Sequence, residues 1–384
     1  METLSTKSIT LQKLHRLALD NGIAFVTYRL PKASGPVTLL QWESAPLRIH
    51  DIKDLKGQSG FVFAPFDHKS VIPIRIIKPD LVVEGDTFSE PRNDDSTLNV
   101  VNPSSDSQNF SLAYTSNYVA DKQEFMHQVE KVKSIISGHT ISKLVLSRTQ
   151  REDKPANFDS TSFFDALDKA YPEAFVFAIY IPDTGLWFGA TPEPLLLIQD
   201  NRATTVSLAG TRKVDFKGSK QPWGEKELDE QLIVTEYIER LLQKRNIRNI
   251  EKKGPYTFGA GSLEHLKTTF SFPATELGEQ TTEFLEELHP TPSVCGLPKS
   301  ASMQLIAGIE KHRREYYSGF LGPMNMKGEW NIYVNLRSMK AVGQKLEYYL
   351  GAGITMGSEA EKEWEETLNK MNTMKSVVES LKDH

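Results

Sequence analysis

Apolar residues recur along the first two-thirds of the chain in short alternating or continuous runs, separated by clusters of Gly, Pro, Asn, Asp and Ser. That pattern predicts strands over residues 24–28, 60–64, 71–77, 143–147, 175–181, 186–190, 194–198 and 204–208. Elsewhere the apolar spacing shifts towards the helical period and predicts helices over 122–137, 162–170, 224–244, 298–308 and 359–381. In the last of these, Trp364, Leu368, Met371, Val378 and Leu381 fall on helical spacing, and Ser358 with Glu361 has the form of a capping box. Residues 330–339 and 345–350 read as an antiparallel pair joined at Val342 and Gly343. The stretch 84–109 is polar and rich in Ser, Asp, Asn and Pro, which predicts a long surface loop.

Runs of strands broken by helices, without strict βαβ alternation, imply an α+β fold of large layered sheets, mainly antiparallel, with helices packed outside. A doubly wound nucleotide fold does not fit. The cluster GAGITMG at 351–357 follows a strand and precedes a helix, but its spacing matches neither the dinucleotide fingerprint nor the P-loop. It reads either as a tight strand-to-helix turn or as a place where Gly351 and Gly353 let backbone N–H groups approach an anion.

Composition narrows the partners. A chain of 384 residues has room for an ample core. Its single cysteine, Cys295, excludes an internal disulfide, and the opening METLSTKSITLQKLHRL lacks the apolar core of a signal peptide, so a cytoplasmic protein is expected. No apolar run is long enough to cross a bilayer, and a formal net charge of −5 opposes a general phosphate-backbone binder. Neither membrane nor nucleic acid is an expected partner.

Two Glu-x-x-Glu pairs, Glu227 with Glu230 and Glu363 with Glu366, stand in helical segments far apart in sequence. Residues three apart share a helix face, so each pair presents two carboxylates in one direction. Converging on a cleft, the pairs would repel unless a cation lay between them, and Mg²⁺ is the natural candidate. The alternative is two solvated helix faces. Lys143 opens SKLVLSR, where alternation puts Lys143, Val145 and Ser147 on one strand face; buried and stripped of water there it would be a usable general base, and otherwise it is a lysine snorkelling from the strand's end. Glu193, between two predicted strands, sits where a partly buried carboxyl can be kept protonated and act as an acid. Arg337, flanked by apolar residues, calls for an anionic partner, and Lys370 lies one helical turn after Glu366. His289 begins a Pro-rich turn, where a structural and a ligand role fit equally well.

These residues fall in five blocks: SKLVLSR; FGATPEPLL with LAGTR; EKELDEQ; HPTPSVCGLP; and REYYSGFLGP through YVNLRSM to GAGITMGSEAEKEWEETLNK. In that order they resemble the chorismate-utilising enzymes, and within them most closely the isochorismate synthases. The resemblance spans roughly 120–376, the expected catalytic region of a single domain over 1–384; before residue 120 it extends only to length and strand character. It implies an active-site cleft between the sheets, Lys143 as the water-activating base and Glu193 as the general acid. It implies Glu230 and Glu366 as direct Mg²⁺ ligands, with Glu227 and Glu363 acting on the ion through water. Arg337 and Lys370 would bind substrate carboxylates and Gly351 would contribute a backbone contact. Tyr317 and Tyr349 would form pocket walls, with Thr211, His289, Ser293 and Val294 around the substrate.

The chemistry implied is isomerisation of chorismate to isochorismate: water adds at C2 while the C4 hydroxyl leaves. Relatives that use ammonia, the anthranilate and aminodeoxychorismate synthases, and the salicylate synthases usually depart from HPTP, so these are the alternatives. No amidotransferase subunit is expected, and the chain is expected to be a monomer or weak homodimer. Ser293, Cys295 and Gln231 depart from the commonest family pattern, and Ser293 stands where product choice is most sensitive. Whether the product serves menaquinone or siderophore synthesis is left open by these motifs.

Overall fold

The computed structural model describes residues 10–85, 87–89, 118–214 and 222–382. Its short β-branched and aromatic runs pair into two sheets. The first has ten strands in the order Gly296–Leu297, Lys143–Asp153, Lys345–Ile354, Ser338–Val342, Gly185–Thr191, Phe175–Ile181, Ala24–Arg29, Val37–Gln41, Leu81–Glu84 and Thr87–Ser89. The second has nine: Glu251–Ala260, Leu263–Pro273, Arg202–Lys213, Pro194–Gln199, Glu329–Val334, Phe320–Met326, Gly60–Ala64, Ile74–Ile77 and Leu47–Ile49. Every pairing described is antiparallel. This is the layered, mainly antiparallel α+β architecture expected.

Aromatic side chains fill the space between the sheets. Phe175 of the first stacks on Tyr333 of the second at 4.4 Å between ring centres, and Trp187 of the first meets Phe63 of the second edge-on at 6.0 Å. Helices cover the outer faces. Ser160–Ala170 and Ala360–Ser380 bury Phe163, Phe164, Met371 and Met374 against the first sheet. Lys122–Ser137 and Lys299–Ile309 bury Val129, Val132 and Ile306 against Leu144 and Leu146. Glu225–Lys244 packs Val234, Ile238 and Leu242 against Phe270 and Phe272 of the second sheet. Full burial of one such side chain contributes roughly 1.5–3 kcal/mol, so these faces settle which side of each element points inward.

Two chain crossings between the sheets lie next to each other. Pro192 and Glu193 pass from Gly185–Thr191 to Pro194–Gln199, and residues 335–337 pass back from Glu329–Val334 to Ser338–Val342. Val334 N–H donates to Glu193 O at 2.9 Å and Ala190 N–H to Arg337 O at 3.1 Å, tying the crossings together. The expected single strand over 330–339 is therefore two strands in different sheets. Both halves are buried, so the apolar run is continuous across a break it cannot reveal. Arg337 marks the break with φ +49°, a left-handed conformation costing a side-chain-bearing residue about 1–3 kcal/mol.

Other expectations shift as well. Ser358 is not a cap: its hydroxyl accepts from Thr355 N–H at 3.1 Å, and the N-cap of the last helix is Glu359, without a side-chain hydrogen bond. Gly351 and Gly353 lie inside Lys345–Ile354, opposite Ser147 and Val145, so the turn begins only after them. Of the predicted polar loop, Thr87–Ser89 pairs with Leu81–Glu84, while 86 and 90–109 lie outside the described residues. The hairpin Glu251–Ala260 with Leu263–Pro273 was not predicted. Among the described residues no helix is long and apolar enough to cross a membrane.

Candidate active site

A cavity opens between the sheets where the two crossings meet. Its empty volume, opening included, is about 550 Å³. Glu193, Thr211, Glu230, Ser293, Val294, Tyr317, Arg337, Gly351 and Lys370 all line it, so nine of the sequence-derived candidates converge on one space.

Glu193 is 3% exposed, and its Oε1 has no hydrogen-bond partner. Burial pushes its carboxyl up to about 7; the nearby cations Lys143, Arg337 and Lys370 pull the other way without cancelling that effect. The result is a carboxyl that can hold a proton near neutrality.

Lys143 is fully buried on the inner face of Lys143–Asp153, because Leu144 and Leu146 occupy the outer face under two helices. Its Nζ lies 2.9 Å from Glu230 Oε1, a contact between charges that is not aligned as a hydrogen bond. Gly353 makes room for the pair: a Cβ there would collide with Glu230 Oε1 and stand 3.2 Å from Lys143 Cε.

Arg337 makes no ion pair among the described residues. Its Nη2–H donates to His265 Nε2 at 3.0 Å. His265, missed by the sequence reading, is 4% exposed and pushed down to about 3, first by burial and then by Arg337. Its neutral ring donates from Nδ1 to Gly210 O at 2.9 Å, which leaves Nε2 as the acceptor that aims the guanidinium. In LEHLKTTFSF the alternation of Leu266, Thr268, Phe270 and Phe272 marks a strand but assigns His265 to its other face; His265 is buried beside Leu266 where the pairing register shifts between Ala209 and Thr211. Lys370 donates to Gly351 O at 2.9 Å and pairs with Glu366 at 2.6 Å.

Six candidates do not line the cavity: Lys143 touches it through Glu230, Glu227, Glu363 and Glu366 lie in a neighbouring depression, and His289 and Tyr349 are held elsewhere. His289 donates from Nε2 to Phe66 O at 3.0 Å and packs edge-on against Phe320, so its surroundings are structural. Tyr349 is sandwiched between Trp187 and Tyr317, with its hydroxyl on Glu315 and Glu347; it backs the wall that Tyr317 forms.

A second depression, sharing Thr211 with the first, is lined by Glu227, Glu363 and Glu366 together with Lys226. The acidic side chains do face one region, but lysines hold three of them. Lys143 takes Glu230, Lys370 takes Glu366, and Lys226 takes Glu363 at 2.5 Å. Accordingly, among the described residues no three His, Cys, Asp or Glu side chains stand close enough to hold a metal ion as placed. The donor set still suits a hard divalent cation. Glu363 is 1% exposed and its Oε2 has no partner, an acceptor left over once Lys226 is satisfied. Burial first, and then Glu366, pushes the Glu363 carboxyl upward.

Isochorismate synthase EntC of Escherichia coli (strain K12) is 28% identical over 266 residues, 67% of this chain and 68% of that protein. Anthranilate synthase component 1 of Aquifex aeolicus (strain VF5) is 28% identical over 294 residues, 73% of this chain and 57% of that protein. The crystal structure of a putative 2,3-dihydroxybenzoate-specific isochorismate synthase, DhbC from Bacillus anthracis, superposes with a TM-score of 0.74. It covers 96% of this chain and 99% of that one at 20% identity, which establishes the shared fold. A family model described as chorismate binding enzyme matches residues 84–379, well over half the chain. With that match resting on the same stretch that builds the cavity, the chain belongs to the chorismate-binding enzyme family.

Proposed function

We propose that this protein is a Mg²⁺-dependent isochorismate synthase, an isomerase that converts chorismate to isochorismate. The observation that carries the reading is a buried carboxyl held near 7 on the wall of a cavity that also presents Arg337 and Glu230, with the buried Lys143 against Glu230. Each residue then has one task. Arg337, aimed by His265, receives the enolpyruvyl carboxylate, and Lys370 contributes a second positive charge at the cavity wall. Lys143 takes a proton from water as its oxygen bonds to C2. The ring double bonds shift, and Glu193 gives its proton to the C4 hydroxyl, which departs as water. Atoms balance, since one water enters and one leaves. Base and acid contributions of this kind are each worth about 10²–10⁴ in rate.

Glu230 and Glu366, with Glu227 and Glu363 beside them, would hold Mg²⁺. When bound, such an ion neutralises the ring carboxylate and draws electron density from the conjugated system. The isochorismate synthases among the similar proteins, and the HPTP form of the 289–292 turn, favour water over ammonia as the nucleophile. The test is turnover of chorismate with Mg²⁺, with and without an ammonium salt. Isochorismate alone is the expected product; anthranilate or salicylate would overturn the reading.

A further inference from the structure

Lys226 is part of the metal-region helix yet belongs to none of the roles assigned above. It sits between Glu225 and Glu227 in the first turn of Glu225–Lys244, and its side chain crosses to the facing helix, Ala360–Ser380. There its Nζ lies 2.5 Å from Glu363 Oε1. Glu366 and Glu230 also stand within electrostatic reach of it. One ammonium thus senses three of the four acidic groups expected to surround a divalent ion. The Glu363 oxygen it leaves unused is buried and has no partner.

We infer that Lys226 is a tethered cation that fills the divalent-ion position and must withdraw before the ion can bind. The inference rests on the proposed Mg²⁺ site and adds to it a competitor built into the chain. Charge and room both require this. Lys226 already meets Glu363, one of the four carboxylates, so an ion adding two charges would enter a region whose negative charge is partly matched. A carboxylate oxygen engaged by an ammonium at 2.5 Å has no room for a metal at coordination distance on the same side. The way out is open, because the adjoining depression is lined by acidic side chains and by Gly357, whose Cβ would only just touch the Lys226 side chain at 3.7 Å. A flexible four-carbon stem can therefore swing towards water without moving the helix. Lys226 would set the affinity of the acidic cluster for the ion, weakening binding until the lysine is released.

The experiment is isothermal titration of Mg²⁺ into the wild-type protein, Lys226→Gln, Lys226→Met and Lys226→Arg, with and without saturating chorismate. Removal of the charge in the Gln and Met variants is expected to tighten Mg²⁺ binding at least tenfold without chorismate, while Arg keeps affinity at or below the wild-type level. Affinity in Gln and Met equal to or weaker than wild type overturns the inference while leaving the metal site standing. Absence of Mg²⁺ binding in every protein, with chorismate present, overturns the metal reading itself. Should the neutral variants fail to fold, ¹⁵N spectroscopy of lysine ammonium groups, assigned with Lys226→Arg, decides on the wild-type chain. The Lys226 signal is expected to lose its ion-paired character as Mg²⁺ is added, and an unchanged signal at saturating Mg²⁺ overturns the inference.

Discussion

Two clusters of buried charge share the strand Lys143–Asp153, and they are built on opposite principles. On one side, Glu310 accepts from Ser147 N–H at 2.7 Å and from Arg314 at 2.6 and 2.9 Å, while Arg314 donates to Val145 O and Val294 O at 2.7 Å each. Mutual pairing moves both groups towards their charged forms, the glutamate down and the arginine up, despite burial. On the other side, Lys143, Glu193 and Glu363 each keep a buried polar atom without a hydrogen-bond partner, and Glu193 and Glu363 are pushed towards neutrality. The saturated cluster clamps the 293–295 loop to the strand. The unsaturated one keeps its hydrogen-bonding capacity for something absent from the folded chain. Burial of charge alone therefore does not mark a site; burial with unspent donors and acceptors facing a cavity does.

Substitutions on the two sides should fail in different currencies. Lys143→Ala should lower turnover by up to about 10⁴-fold while chorismate still binds, as measured by single-turnover kinetics and calorimetry. Near-normal turnover would remove the base from the scheme. Arg314→Met should instead cost about 3–5 kcal/mol of stability by stranding Glu310, read from the denaturant midpoint; an unchanged midpoint would erase the contrast.

Glu193→Gln should lower kcat by about a hundredfold with little change in stability. An acid must carry its proton, and a group raised to about 7 carries it below that pH. In the wild type the alkaline limb of kcat/KM should therefore fall as pH rises through about 7, about tenfold per unit. A profile that keeps its alkaline limb in Glu193→Gln would assign that limb to another group. The smallest effect belongs to His265→Leu, which deprives Arg337 of its acceptor. KM for chorismate should rise about tenfold with kcat less affected, and a pure loss of kcat would contradict a role in aiming the guanidinium.

The legible parts of this molecule were those that local spacing governs. Alternation over 143–147 put Lys143 on the face opposite Leu144 and Leu146, and the structure packs those two leucines under the helices. The helices over 122–137 and 360–380 followed from apolar residues on helical spacing. What escaped depended on partners distant in sequence. His265 lies in a hairpin whose exposed strand, Glu251–Ala260, carries little hydrophobic signal. The break at Arg337 hid inside a run buried on both sides, and His289 found Phe66, more than two hundred residues away.

By itself the order of residues determined the α+β class, the strand face that Lys143 shares with Val145 and Ser147, and the two acidic pairs, because periods of two and of about 3.6 are properties of the backbone. Only the tertiary structure decided that Glu193 and Arg337 stand on adjacent crossings and that lysines hold the glutamates. Only there, too, does one buried carboxyl keep its proton to about 7 while another, Glu310, is stabilised in its charged form. Those outcomes follow from desolvation and from the distances between charges, which no stretch of chain specifies until the sheets have closed on each other.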